Sequence, residues 1–501
     1  MLRLTKVTPA WPLAIGALFL ACGIFYLFSY NSGYGFDGLE YLVIARSLLD
    51  GYQMYAFVPS KSPGFYALVA SGFASGIPQD HIGVTALVLL FFVALILTAC
   101  FIARALYDIQ TSIITGILIT ISAFTMELNF LEPEGLVAVC GLLASWCAYR
   151  GYAGRVSTRL GWWFISGLFI GVGCCLKTVA AFYWLGVAGF TGWLVYQRCL
   201  SPAKVFRALL ALTTGAGLPQ LIELTYFALI RRSQEFMFWT YIYPFRYYPA
   251  DTIYLNKLFL KCGWLLVMVG VATLCARKWK LTSTLSADPR NVLLMSMAST
   301  SMLSLLKSQA SHYLVPSAVF LTIYAASIFS VGWRTAQFRM LTKQAVSAAL
   351  VAAIVCVGFA VKYRPDVVSR FLSVRNYSWE QSVANTVATS VGPRDRILAF
   401  TDARLLYWLS RRYPPTPFID TERQTTHWLR YHKDALADAL NDQHLAMVEF
   451  DEARLVLDDP RGFEYEFVRS AFADLARTLP QRFEPVISNH GYHFWIRRKQ
   501  I

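Results

Sequence analysis

The sequence predicts a polytopic α-helical membrane protein of about eleven transmembrane helices, followed by a small C-terminal α/β domain on the extracytoplasmic side. Three observations predict it. The 501 residues are 56% hydrophobic and only 15% charged, which is more apolar surface than a globular core of this length buries. Apolar windows of about twenty residues recur from the N-terminus to position 361 and then stop. Basic and acidic residues alternate between successive connections, as membrane orientation requires.

The windows place spans near 11–30, 83–104, 112–129, 133–149, 160–177, 179–197, 208–230, 258–276, 291–306, 313–331 and 344–361. The first follows Arg3 and Lys6 and runs from Trp11 to Tyr30 without a small-residue cleavage site, so an uncleaved span is expected. With the N-terminus inside, the cytoplasmic connections hold Arg104, then Arg150, Arg155 and Arg159, then Arg198, Lys204 and Arg207. Arg277, Lys278, Lys280 and Arg290 follow, then Arg334, Arg339 and Lys343. The opposite loops carry Asp37, Glu40, Asp50, Asp80, Glu127, Glu132 and Glu134. One orientation satisfies all of them, and an odd number of spans leaves the C-terminus outside. The abundance of Ala, Leu and Arg fits a bacterial inner-membrane protein.

From Lys362 onward hydropathy falls and short apolar runs alternate with helical stretches. RILAF (396–400), AMVEF (446–450) and FEPVI (483–487) read as strands, and the stretches near 402–411, 424–441 and 464–478 as helices. The expected division is therefore a membrane domain over 1–361 and a soluble extracytoplasmic α/β domain over 362–501.

Composition also narrows function. The net charge of +15 is dispersed over short loops instead of forming one basic face, so membrane topology explains it better than nucleic-acid binding does. The ten cysteines, none beyond Cys356, lie in or beside apolar segments and contain no C-x-x-C pair; they read as small packing residues. No repeat, P-loop or Gly-rich dinucleotide fingerprint occurs. Chemistry must therefore come from the loops.

Two outer loops, about 31–82 and 231–257, are longer than a connection needs. In the first, FDGLEYLVIARSLLDG places Leu39, Leu42, Val43, Ala45, Leu48 and Leu49 at helical spacing with Gly51 as a stop, predicting an amphipathic helix of about four turns. GFYALVASGFASG, opened by Pro63, predicts a second short helix. Both are expected to lie on the outer leaflet. Ionisable groups gather at the outer ends of spans: Asp37 and Glu40, Glu132 and Glu134, Lys177, Lys307 and His312, with Tyr313 beside it. Charges at that depth need partners or a wet cavity, so a polar cavity open to the outside is expected.

The run Y-G-F-D-G-L-E-Y-L-V-I-A-R-S-L-L-D-G, then K-S-P-G-F-Y-A-L, resembles the first outer loop of GT-C class glycosyltransferases, the protein O-mannosyltransferases and lipid A aminoarabinose transferases among them. The similarity extends to G-x-x-x-G-x-x-x-x-L-K-T ending about Lys177 and to S-H-Y-L-V-P at 311–316, and so spans most of the membrane portion. It implies a GT-C-like enzyme that moves a sugar from a polyprenyl-phosphate carrier to an extracytoplasmic glycan, lipid or protein, inverting the anomeric centre. Asp37 matches the family's first-loop aspartate and is the expected base. Relatives often carry a second acidic residue immediately beside it; here the neighbours are Phe36 and Gly38, and Glu40, one turn on, is the candidate helper.

Lys61 matches the lysine that stabilises the departing phosphate, although a lysine snorkelling to the headgroups has the same appearance. Arg231, Arg232 and Arg246, in or beside the second long loop, are candidates for the same phosphate site. Its W-T-Y-I-Y-P-F-R-Y-Y run suits sugar stacking or the lipid tail, and equally an interfacial aromatic belt. Glu132 and Glu134 occupy the loop where relatives hold a second functional carboxylate. Lys177, Lys307, His312 and Tyr313 are expected to line the acceptor side or the cavity. No metal or other cofactor is expected. The competing reading is a transporter or flippase of a lipid-linked or anionic solute, whose usual marks, broken midplane helices and a repeat relating two halves, are not evident.

Overall fold

The structure is a computed structural model of the chain, and it describes residues 10–55, 62–243, 255–278, 287–306, 311–334, 373–400, 403–415, 435–450, 466–489 and 492–498. In chain order the helices begin with α1 (Ala10–Ser32), α2 (Phe36–Leu49), α3 (Pro63–Ala74), α4 (His81–Leu106) and α5 (Ile109–Thr125). They continue with α6 (Glu134–Ala153), α7 (Arg159–Leu176), α8 (Phe182–Tyr196), α9 (Pro202–Leu229), the short α10 (Ser233–Met237), α11 (Leu255–Lys278), α12 (Pro289–Ser301) and α13 (Val315–Arg334). Helices thus underlie every predicted window except 344–361, which lies outside the described residues. Among those residues six segments are long and apolar enough to cross a membrane: His81–Leu106, Glu134–Ala153, Arg159–Leu176, Thr178–Tyr196, Pro202–Leu229 and His312–Val331. The chain is an integral membrane protein.

It divides into two compact units. The first joins Met1–Gly33, Ile77–Tyr226 and Pro249–Arg375. Within it, helices approach closely where side chains are small. A Cβ on Gly167 would stand 2.0 Å from the Leu212 carbonyl oxygen, and one on Gly171 would meet the Ala216 carbonyl and the Pro219 ring. The G-x-x-x-G stripe of α7 therefore seats the backbone of α9, the geometry that small residues permit between membrane helices. Pro219 lies inside α9, and Gln220 one residue later donates to the Gly171 carbonyl at 2.9 Å.

The second unit joins Tyr34–Gly76, Phe227–Tyr248 and Asn376–Ile501, so the first long loop folds with the tail. The tail contains α14 (Ser378–Ser390), β1 (Arg396–Leu398), α15 (Ala403–Ser410), α16 (Ala435–Asn441), β2 (Leu445–Glu449), α17 (Glu466–Arg482), β3 (Phe483–Asn489) and β4 (Tyr492–Arg497). The strands form one sheet in the order β1-β2-β4-β3, with β1 parallel to β2 and the remaining pairs antiparallel. A parallel pair needs a crossover connection, and α15 and α16 lie between β1 and β2 in the chain. Pro485, which has no N–H to donate, stands where the register of β3 against β4 shifts, a place in a sheet that tolerates proline. Leu398, Phe400, Leu445, Val448, Phe472, Leu475 and Phe483 bury the core between sheet and helices.

The predicted first-loop helices are α2 and α3, but α2 departs from a helix with one solvated face. Glu40, Arg46 and Ser47, which make its sequence amphipathic, are buried together with Tyr41, Leu42, Val43, Ile44 and Ala45. The polar residues turn inward because partners distant in sequence receive them.

Candidate active site

Two clusters of charged side chains stand out, one in each unit. In the second unit, Gly35 precedes α2 with φ 69° and ψ 148°, a conformation that a Cβ disfavours, and Phe36–Leu49 then turns into the helix. Asp37 falls in the first turn, where backbone N–H groups favour a carboxylate, and Glu40 follows one turn later. Arg404, near the start of α15, reaches both acids. Its Nη1 donates to Asp37 Oδ1 at 3.4 Å, and its Nη2 lies 3.5 Å from Glu40 Oε2. Tyr66 on α3 donates its hydroxyl to Glu40 Oε1 at 2.6 Å. Burial, and then the Glu40 carboxylate, push the Tyr66 phenol well above its usual range, so the hydroxyl stays a donor.

Exposure distinguishes the two acids. The Glu40 side chain is 0% exposed and Arg404 4%, whereas Asp37 is 33% exposed. Asp37 is the member of this trio that an incoming group can reach, while Glu40 faces Arg404 and Tyr66.

A second arginine fixes the same helix. Arg46 donates from Nη1 to the Trp408 carbonyl at 2.8 Å, from Nη2 to the Tyr407 carbonyl at 2.7 Å and from Nε to Tyr413 Oη at 3.3 Å. The guanidinium lies 4.8 Å from the Trp408 ring centroid, and the Tyr413 hydroxyl donates onward to Asp50. Burial lowers the guanidinium pKa, with Tyr413 opposing the shift. Tyr377 on the tail also receives the Tyr34 N–H at 2.9 Å, which ties the start of this segment of the second unit to the tail.

In the first unit, Pro133 starts α6 and places Glu134 in its first turn. After α7 ends at Leu176 the chain turns extended at Lys177, with φ −161° and ψ 129°, before the 3-10 turn Thr178–Ala181 leads into α8. The Lys177 ammonium bonds Glu134 and sits 4.1 Å from the Tyr313 ring centroid. His312, from the turn entering α13, lies 3.7 Å from Glu134 Oε1 and 3.5 Å from Glu127 Oε2. Glu132, Glu134, Lys177 and His312 are all buried.

Of the residues singled out from sequence, Asp37 and Glu40 come together in the second unit, and Glu134, Lys177, His312 and Tyr313 in the first. Arg231 is exposed, with a left-handed φ of 59° just after α9. Arg232 pairs with Glu235 at 2.8 Å, which offsets its charge, and donates from Nε to Gln53 Oε1 at 3.4 Å. Lys61, Arg246 and Lys307 lie outside the described residues. Sequence reasoning missed Arg404, Arg46 and Tyr66. The available signal was a single arginine inside each of two apolar helical runs, L-V-I-A-R-S-L-L and A-R-L-L-Y-W-L-S.

No family model matches the sequence, and no curated protein matches it either. Solved structures do. ArnT from Cupriavidus metallidurans in the apo state superposes with a TM-score of 0.65 at 16% identity, covering 97% of this chain and 97% of that one. The same enzyme bound to undecaprenyl phosphate gives 0.64 at 15% identity, over 98% and 99%. The Archaeoglobus fulgidus oligosaccharyltransferase AglB, in complex with an inhibitory peptide and a dolichol-phosphate, gives 0.53 at 12% identity, over 97% of this chain and 74% of that one. Both enzymes are GT-C glycosyltransferases. The chain has the GT-C fold. The likeness takes in nearly the whole chain, tail included, whereas the sequence resemblance spans most of the membrane portion.

Proposed function

We propose that this chain is an inverting glycosyltransferase that takes a sugar from a polyprenyl-phosphate carrier and places it on an extracytoplasmic glycolipid, polysaccharide or protein. The observation that carries this reading is the solvent-reaching Asp37 carboxylate, held by a buried arginine at the head of the first-loop helix in a chain of GT-C fold. Support comes from the likeness to ArnT bound to undecaprenyl phosphate and to an oligosaccharyltransferase with a dolichol-phosphate.

In this reading the acceptor hydroxyl oxygen attacks the anomeric carbon from the side opposite the phosphate, and Asp37 takes its proton. The new carbon–oxygen bond forms as the bond to the phosphate oxygen breaks. The electron pair departs on the polyprenyl phosphate, and the anomeric centre is inverted. General-base help of this kind contributes about 10²–10⁴-fold. The departing phosphate gains negative charge, so Lys61 is assigned to stabilise it, with Arg231, Arg232 and Arg246 as further cations. Glu132, Glu134, Lys177, Lys307, His312 and Tyr313 are assigned to the acceptor side. The same reading puts catalysis in 1–361, a soluble domain at 362–501 outside, the N-terminus in the cytoplasm and the protein in a bacterial inner membrane.

The test compares a deletion strain complemented with wild type or Asp37→Asn, reading the mass of surface glycans, lipids and glycoproteins. The expected result is a sugar-sized mass missing from the deletion strain and restored by wild type only, at equal protein levels. Restoration by Asp37→Asn sinks the assignment of the base.

A further inference from the structure

We infer that Arg404 is a positioning residue for this transfer: the tail reaches back through one buried guanidinium to hold the Asp37 carboxylate on the first-loop helix. This rests on the reading of Asp37 as the base. Three features of the second unit carry it. Arg404 is 4% exposed, so it is no surface cation, and its two terminal nitrogens serve two different carboxylates, at 3.4 and 3.5 Å. Glu40 is anchored from behind by the Tyr66 hydroxyl at 2.6 Å, which fixes the end of the relay that has no access to solvent. Asp37, the exposed end, then has its position set through Arg404 by Glu40 and Tyr66.

A planar fork with donors at fixed angles holds two acceptors in one geometry, which a point charge does not. The register between the helices is fixed separately. Arg46 binds the Tyr407 and Trp408 carbonyls of the helix that carries Arg404, so α15 cannot slide along α2 without breaking those bonds. The tail thereby bears on the reaction without touching substrate, since Arg404 acts only through Asp37.

The experiment uses full-length protein in detergent micelles and the polyprenyl-phosphate-sugar fraction extracted from a deletion strain as donor, with product formation measured over a donor dilution series. Arg404→Met is expected to lower kcat about 10–100-fold, the loss produced by roughly an ångström of misplacement, with the apparent donor KM within about twofold of wild type. Undecaprenyl phosphate, used alone as a binding probe, should bind Arg404→Met within about twofold of wild type. Arg404→Lys should recover part of kcat. In an Asp37→Asn background Arg404→Met should cause no further loss, because the group it positions is gone.

Arg404→Met at the wild-type rate overturns the inference. So does a raised donor KM with unchanged kcat, which would make Arg404 a direct phosphate ligand, and so does a loss that multiplies with Asp37→Asn. If Arg404→Met is not monodisperse, Glu40→Gln decides in its place: it keeps the volume, removes the charge that anchors Arg404, and should lower kcat with the same non-additivity. Wild-type transfer by Asp37→Asn defeats the base reading itself, a result separable from every outcome of the Arg404 series.

Discussion

The Glu134–Lys177–His312 cluster of the first unit and the Asp37–Glu40–Arg404 cluster of the second use the same side-chain chemistry to different ends. In the first, glutamate, lysine and histidine are all buried and face one another, with an aromatic ring beneath the ammonium. In the second, two members are buried and the third is a carboxylate one-third exposed. A wholly buried ion pair commits its charges to each other, and removing one partner leaves the other stranded in low dielectric. A cluster with one exposed arm keeps a charge available for an incoming group while the buried members hold it still. The first arrangement turns its charges on one another, and the second leaves one carboxylate within reach of solvent.

Three substitutions sharpen or break that contrast. Glu134→Ala should have the largest effect on folding, destabilising the protein by about 3–5 kcal/mol in detergent unfolding, because the Lys177 ammonium is left buried without its partner. Glu134→Leu combined with Lys177→Met should recover most of it; a double variant as unstable as the single one would mean that the pair does more than neutralise itself. Tyr66→Phe removes one hydrogen bond to a buried carboxylate and should cost about 1.5–3 kcal/mol. It should also lower sugar transfer, whereas a stability loss with unchanged transfer would make Tyr66 a packing residue only. Gly35→Ala should cost roughly 1–2 kcal/mol, since φ 69° with ψ 148° is strained for any residue with a Cβ. Unfolding midpoints indistinguishable from wild type would show that α2 starts elsewhere in solution.

Much of the fold was legible because hydropathy and loop charge are local quantities. The apolar windows foretold α1, α4 to α9 and α11 to α13, and RILAF, AMVEF and FEPVI foretold β1 to β3. β4, Y-H-F-W-I-R, was missed although its residues suit a strand. So was α14, whose Ser- and Thr-rich sequence buries only a narrow stripe of Val383, Ala384 and Val387. Asp37 and Glu40 were singled out because acid, helix and following K-x-P lie within thirty residues of one another, and the structure brings the two acids to one arginine. Arg404 was not, since its pairing with Asp37 crosses 367 positions and nothing in A-R-L-L-Y-W-L-S states where the guanidinium ends. The same distance explains why α2 looked amphipathic: its polar residues have buried partners that only the folded chain supplies. Tyr66 sat inside the motif itself and passed for an apolar helix residue, because a pattern records that a ring is buried and omits where its hydroxyl points.

Arg46 also sets an order of events during biosynthesis. It emerges 361 and 362 residues before the carbonyls of Tyr407 and Trp408 that it binds. At a ribosomal speed of roughly 5–20 residues per second, that interval is about 20–70 s. Throughout it the nascent loop carries an arginine in an apolar helix whose destination has not been translated, and the eight-residue helix that will receive it is too short to stand alone when it appears. Each half waits for the other, so truncation of the tail should leave α2 without the partners that bury its arginine.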